Sequence, residues 1–264
     1  MRIPIYKLDA FADRLFGGGP TAVCVLESVL PDGTLQAIAT ENNLAETAFI
    51  WPEGAAWRIR WFTPVCEVDL AGHPTLAAAW VVLEKLRPGD KKVLFHGPLG
   101  PLPVEKRGER LRMDFPAVPP RTSKAPVKIA RAVGGHILES FEMERIHRVE
   151  YRMFVHADEA AVRALTPDYA VLVQRQVNIL VTAPGETVDF VSRVFCPAVA
   201  EPEDPVTGSA HCTSAPYWAK RLGKASLTAC QVSPREPKLF CEVAGDRVFI
   251  AGTCVPYLEG TITI

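Results

Sequence analysis

The sequence predicts an α+β protein of two similar halves, each a sheet packed around one apolar helix, and three observations carry that expectation. First, Phe62-Thr63-Pro64 leads through Asp69-Leu70-Ala71-Gly72-His73-Pro74 into the apolar run Thr75 to Trp80, while Phe195-Cys196-Pro197 leads through Asp204-Pro205-Val206-Thr207-Gly208 into Ser209 to Trp218. Second, Glu105-Lys106-Arg107-Gly108-Glu109-Arg110-Leu111 matches Glu242-Val243-Ala244-Gly245-Asp246-Arg247-Val248. Gly72 to Gly108 is 36 residues and Gly208 to Gly245 is 37. Third, Thr75 to Leu86 is alanine-rich and almost wholly apolar before Glu84, the pattern of a helix buried on all sides. A duplicated unit of strand, glycine loop, apolar helix and hairpin would pack about a pseudo-twofold axis. The two helix starts, at Gly72 and Gly208, are then expected on opposite walls of one cleft.

Taken in order, Ile3 to Leu26 alternates as two strands around Gly17-Gly18-Gly19-Pro20. No Lys-Ser/Thr or Gly-x-Gly-x-x-Gly context follows those glycines, so they read as a hairpin turn open to a ligand rather than a phosphate loop. Pro31-Asp32 opens a helix with Leu35, Ile38 and Ala39 on one face, ending near Asn42-Asn43. The strand-like run Leu44 to Ile50 then carries one carboxylate, Glu46. Facing the cleft, it would be desolvated and ready to exchange protons near neutral pH; otherwise it is a solvated strand-end glutamate.

Arg58 to Phe62 reads as a strand, and Val93 to Phe95, Leu102 to Glu105 and Leu111 to Phe115 read as a meander. Pro116 to Pro126, with prolines at 116, 119, 120 and 126, reads as a linker. The chain is therefore divided into 1–117 and 118–264, with the last strand a candidate to cross to the first half. In the second half the scheme recurs at Ile137 to Glu150, Tyr151 to Val155, a short helix from Ala160 to Leu165, Val177 to Thr182, Asp189 to Phe195 and a terminal meander. Asp204 precedes Pro205 and so lies outside any helix. Ala210, Cys212, Ala215, Trp218 and Leu222 recur at roughly helical spacing, so a helix begins near Gly208 or Ser209. Its first turn is either an anion site or an ordinary terminus capped by Ser209.

Composition excludes several classes. A formal charge of −1 with scattered cations offers no basic stripe for nucleic acid. The start Met1 to Tyr6 lacks a signal-peptide core, and no apolar run of about eighteen residues occurs, so a cytoplasmic protein without membrane partners is expected. Seven cysteines with no Cys-x-x-Cys pair point to buried apolar thiols rather than disulfides or zinc. His211 beside Cys212 makes a poor metal pair, because adjacent helical residues diverge by about 100°. Neither metal nor organic cofactor is expected.

Asn42-Asn43-Leu44-Ala45-Glu46-Thr47-Ala48-Phe49, Gly72-His73-Pro74-Thr75-Leu76-Ala77-Ala78-Ala79, Asp204-Pro205-Val206-Thr207-Gly208-Ser209-Ala210-His211 and Phe16 to Pro20 together resemble the PhzF-type isomerases of phenazine biosynthesis, in the diaminopimelate-epimerase-like superfamily. The resemblance implies two similar domains, each an antiparallel sheet or barrel around a central helix, with the active site between them. It implies Glu46 as the acid/base residue, and His73, Asp204 and Ser209 lining the site. Gly72, Thr207 and Gly208, with His73 and Ser209, would bind a small carboxylate-bearing substrate, and a homodimer is compatible with it.

Two departures bear on the reaction. Ala71 stands where many relatives have cysteine, and neither glycine loop carries the thiol of the epimerase and racemase branch. Cys66 and Cys212 are the nearest candidates for a two-thiol racemase, but they sit asymmetrically about Gly72 and Gly208. A protein that only binds its metabolite, with Glu46 as an acceptor, is the non-catalytic alternative.

Overall fold

The computed structural model describes residues 1–143, 149–197 and 202–264. The chain separates into two compact units, Met1–Phe115 with Phe249–Ile264, and Pro116–Val248, so the C-terminal residues belong with the first unit.

In the first unit, β1 (Arg2–Ala10) and β2 (Gly19–Val25) are antiparallel. The connection between them needs Gly18, which has φ +59° and backs directly onto the Ala10 carbonyl. Pro31 precedes α1 (Asp32–Asn42), which buries Leu35, Ile38 and Ala39. That face packs against Ala22, Cys24 and Phe49. α1 stops where Asn43 takes the left-handed conformation and its N–H bonds the Ala39 carbonyl, a short αL cap.

β3 (Glu46–Glu53) then runs parallel to β2, and β4 (Ala56–Phe62) returns antiparallel to β3. After the short β5 (Glu67–Val68) comes α2 (Gly72–Val81), whose residues are all buried except the half-buried Trp80. The helix expected to run unbroken to Leu86 widens instead into one π-turn at Val82–Leu86, with the Arg87 N–H reaching the Val82 carbonyl. β6 (Lys92–Gly97) lies parallel to β4, and β7 (Gly100–Arg107) pairs with β6 and β8 (Arg110–Pro116), turning at Gly108 with φ +62°.

The second unit repeats the pairings. The proline-rich stretch is not only a linker: β9 (Arg121–Thr122) pairs briefly with β10 (Glu139–Glu142), and Pro126 caps α3 (Val127–Val133). Prolines around β9 remove the N–H groups a longer ladder needs. β10 is antiparallel to β11 (Glu150–Val155); α4 (Glu159–Arg163) and α5 (Tyr169–Arg175) follow, and β12 (Val177–Pro184) is parallel to β11. α3 and α5 have no counterpart among the expected elements, since each is a short helix held by tertiary packing. Val177, Ile179, Val181 and Ala183 of β12 bury one face against Ile129 and Val133 of α3, Val162 of α4 and Leu172 of α5.

β13 (Phe190–Phe195) is antiparallel to β12, and β14 (Ser226–Gln231) is parallel to β13. Between them lies α6 (His211–Leu222), entered through a single 3₁₀ turn at Gly208–Ala210. Ala210, Cys212, Ala215 and Trp218 are buried, and the Trp218 indole N–H donates to Thr182 Oγ1 at 2.8 Å on the second face of β12. Leu222, expected on that stripe, is exposed because the last turn, with Lys220 and Arg221, leaves the core. β15 (Lys238–Ala244) is antiparallel to β14 and reaches β16 (Arg247–Gly252) through a turn at Gly245 with φ +61°. β17 (Cys254–Thr263) finally pairs antiparallel with β1.

Each unit thus runs antiparallel, parallel, antiparallel, parallel, antiparallel from its first strand pair onward, with its long helix inserted before the second parallel strand. That common order is the structural form of the sequence repeat.

Gly18→Ala tests the tightest turn. A Cβ there would lie 2.1 Å from the Ala10 carbonyl oxygen in a left-handed backbone, so the variant is expected to lose about 1–3 kcal/mol, read as a lower urea midpoint at unchanged slope.

Candidate functional site

In the first unit the site is built by strand register. The parallel β2–β3 pairing sets Thr21 beside Glu46, and the Thr21 hydroxyl donates to the Glu46 carbonyl at 2.8 Å. Because Phe49 turns toward α1, alternation turns Glu46 to the opposite face, toward α2. The approach to α2 is fixed by Thr63, whose Oγ1 accepts from the N–H groups of Val65 and Cys66 at 3.2 and 3.0 Å. Ala71 is extended, and α2 then begins with Gly72, His73 and Pro74; the Thr75 hydroxyl closes the turn by donating to the Ala71 carbonyl at 2.6 Å.

His73 is 2% exposed, and its Nε2 lies 2.9 Å from Glu46 Oε2. The two atoms touch at ion-pair distance without the alignment of a hydrogen bond, and neither meets solvent. A carboxylate and an imidazole in that relation can exchange a proton with each other or with a third group. A cavity of about 660 Å³ elsewhere in this unit, lined by Trp57, Val82, Val93, Arg112 and Phe249 among others, includes neither residue.

In the second unit a rigid loop carries the remaining candidates. Arg193 grips Glu203 with two bonds of 2.8 Å and donates to the carbonyls of Val162 and Leu165, so the residue before Asp204 is anchored to the sheet. Asp204 accepts from the Thr207 hydroxyl at 2.6 Å and from the Val206 N–H at 3.2 Å. The buried side chain of Gln231, at the end of β14, accepts from the Thr207 N–H at 2.8 Å and donates to the Asp204 carbonyl at 2.6 Å. The Ser233 hydroxyl donates to the Pro205 carbonyl at 2.8 Å.

Gly208 and Ser209 follow in the 3₁₀ turn. Ser209 is half-buried and does not cap the helix, because the 3₁₀ turn moves the start of α6 two residues beyond it. Glu46, Gly72 and His73 are thus gathered in one unit, and Asp204, Thr207, Gly208 and Ser209 in the other. Arg193 and Gln231 were not among the sequence candidates. An arginine within an apolar strand is a signal for the first; nothing in the sequence ties Gln231 to a loop more than twenty residues earlier. Residues 144–148, within the expected stretch Ile137 to Glu150, lie outside the described residues.

The thiol alternative finds no support in the chemistry of its residues. Burial pushes the Cys212 thiol up to about 12, which keeps it protonated at neutral pH, and Cys66 lies exposed in the Thr63 turn. Full burial lowers His211 to about 4; its Nδ1 donates to the Thr207 carbonyl at 2.9 Å, and its ring packs against Phe190. Among the described residues no three His, Cys, Asp or Glu side chains could hold a metal ion, and no helix is long and apolar enough to cross a membrane.

Two units of one strand order, each with a buried helix whose first turn meets polar loop residues, define the diaminopimelate-epimerase-like class of α+β proteins. A model of the PhzC-PhzF family, described as phenazine biosynthesis-like protein, matches residues 8–260, and the chain belongs to that family. It is 46% identical over 263 residues to an uncharacterized isomerase of Pseudomonas aeruginosa, covering 99% of both chains. It is 34% identical to a human phenazine biosynthesis-like domain-containing protein, covering 100% of both. The crystal structure of a PhzF family protein from Enterococcus faecalis superposes with a TM-score of 0.93 at 42% identity over 100% of each chain. A hydroxyproline epimerase from Agrobacterium vitis shares the fold, with a TM-score of 0.61 at 10% identity over 99% of this chain and 91% of its own. The protein is an isomerase of this family.

Two outcomes follow. Gln231→Leu leaves the Thr207 N–H and the Asp204 carbonyl without their partner, so it should cost about 1–3 kcal/mol in urea unfolding. His211 also sets a pH dependence. As pH falls below about 6.5 the unfolded chain protonates this histidine, whereas the folded chain does so only near 4. The unfolded state therefore binds more protons in that window, and stability is lost as pH falls through it, by about 2–3 kcal/mol on reaching pH 4.5. His211→Gln should show a correspondingly smaller drop in urea midpoint between pH 7 and pH 4.5.

Proposed function

We propose that this isomerase moves a proton within a small carboxylate-bearing metabolite, with Glu46 as the acid/base group. The observation that carries the reading is the 2.9 Å contact of Glu46 Oε2 with the buried Nε2 of His73, at the start of a helix otherwise enclosed by apolar packing. In this reading the Glu46 carboxylate takes a proton from one substrate atom, holds it as the carboxylic acid, and returns it to another. His73 steadies the carboxyl group in both forms by donating to or accepting from its oxygen.

The N–H groups of the first turn of α2 are placed to hold an anionic substrate group. In the second unit the loop from Asp204 to Ser209 is proposed as a ligand-binding loop, with Asp204 and Thr207 presenting polar atoms held by Gln231, and with Gly208 letting the chain approach closely. Support comes from the isomerase names of the relatives and from the ligand bound to the hydroxyproline epimerase, trans-4-hydroxy-L-proline, which carries a carboxylate. No step requires a thiolate, which suits a chain whose Cys212 stays protonated.

Glu46→Gln separates proton transfer from binding. With a ligand identified by thermal stabilisation across a metabolite library, solvent-deuterium incorporation at saturation should fall by roughly two to four orders of magnitude. Ligand affinity should change far less. Equal incorporation by wild type and variant would remove Glu46 from the reaction and leave a binding role.

A further inference from the structure

The loop that leads into each long helix is held by the same clamp in both units. In the first, Arg60 of β4 grips Glu67 of β5, Nε to Oε1 at 2.6 Å and Nη2 to Oε2 at 2.7 Å, and its guanidinium lies 5.1 Å from the centre of the Phe62 ring. In the second, Arg193 of β13 grips Glu203 through the same atoms, both at 2.8 Å, and lies 4.9 Å from the Phe195 ring. Each arginine precedes its phenylalanine by two residues, and each glutamate precedes its glycine, Gly72 or Gly208, by five. The backbone agrees: Trp61 pairs with Val68 and Val194 with Asp204, while the Thr63 N–H bonds the Cys66 carbonyl and the Cys196 N–H that of Pro202. The second loop is three residues longer between phenylalanine and glutamate, so what the clamp keeps is the distance to the glycine turn.

In the first unit the clamp joins the two segments that bring Glu46 and His73 together. Arg60 stands opposite Phe49 across β3 and β4, so it lies on the α1 face of the strand pair that carries Glu46. Glu67 opens the segment that ends in Gly72 and His73. The third arm of Arg60, Nη1, reaches Asp32 at the start of α1 at 2.8 Å. Further along that helix Gln36 donates to the Thr63 carbonyl at 2.9 Å, and Thr40 donates to the Pro64 carbonyl at 2.7 Å. Asp32, Gln36 and Thr40 recur every four residues, so one polar stripe of α1 is applied to Arg60 and to the turn before β5. A partly exposed ion pair contributes little net stability. A two-pronged guanidinium–carboxylate contact, by contrast, fixes both distance and angle.

We infer that Arg60 is a positioning residue of the isomerase site: through Glu67 it sets His73 against Glu46, acting from the opposite face of the sheet. The inference rests on the reading of Glu46 and His73 as the working pair. It concerns the first unit alone, where the strand that carries one member and the loop that delivers the other are tied by this contact.

The test uses the full-length, isotope-labelled protein at neutral pH, with the ring nitrogens of His73 followed by proton–nitrogen NMR and assigned by their loss in His73→Gln. Glu46→Gln should shift the His73 signals in an otherwise wild-type chain. In an Arg60→Gln chain the same substitution should shift them by roughly half as much, the loss an electrostatic contact shows when its separation doubles from 2.9 Å. Arg60→Lys keeps the charge but not the two-pronged contact, so it should behave like Arg60→Gln. A clamp that served stability alone would lower the urea midpoint of both variants and leave the response of His73 whole. A full response in either folded variant therefore overturns the inference, and if neither folds Glu67→Gln is read in the same way. Failure of His73 to respond to Glu46→Gln in the otherwise wild-type chain would count against the proton-transfer reading and this inference together.

Discussion

A helix enclosed by sheet has only its ends to offer a ligand, and that constraint organises the first unit. From Gly72 to Ala79 every residue of α2 is buried, so the backbone groups within the helix are spent on its own hydrogen bonds. The first turn is the exception. Strand order then decides what meets it: β3 begins at Glu46, in register with Thr21, on the face that looks toward α2. Asn43 matters for the same reason, because its left-handed cap turns the chain out of α1 just before that strand.

The second unit applies the same plan with a different ending. α6 is buried over its first turns and amphipathic at its last, and a 3₁₀ turn replaces the clean start of α2. Rigidity comes instead from the loop before it, where the nearly buried Arg193–Glu203 pair and Gln231 hold Asp204 and Thr207 from both sides. Such a buried arginine, paired with two oxygens and bonded to carbonyls, contributes placement more than net stability. The positions after the matched glycines Gly72 and Gly208 then carry different chemistry: the imidazole of His73 in one unit, the hydroxyl of Ser209 in the other.

Local chemistry made much of the framework legible. Pro31 before Asp32, the spacing of Leu35, Ile38 and Ala39, and the glycines at 108 and 245 state their structures within a few residues. The apolar run Leu76 to Ala79 reads as burial on every side, and only Trp80 just beyond it is half-buried. Less was readable where packing overrides local preference. α3 and α5 are too short to announce themselves, the π-turn at Val82–Leu86 has no sequence mark, and Leu222 reads as core until the helix end is seen to leave it.

Contiguous stretches of chain were enough to establish the family, the repeat and the residue types around both glycine turns, because each of these is written locally. Which of those groups meet was left to the folded chain. The contact of Glu46 with His73 joins residues on a strand and a helix, and the bonds of Gln231 to the Asp204 loop reach across more than twenty residues. The place of Glu46 beside Thr21 follows from strand register, which shifts every side chain to the other face with a slip of one residue. None of these distances is a property of a local segment; each is set by how strands pair and how a helix packs against them.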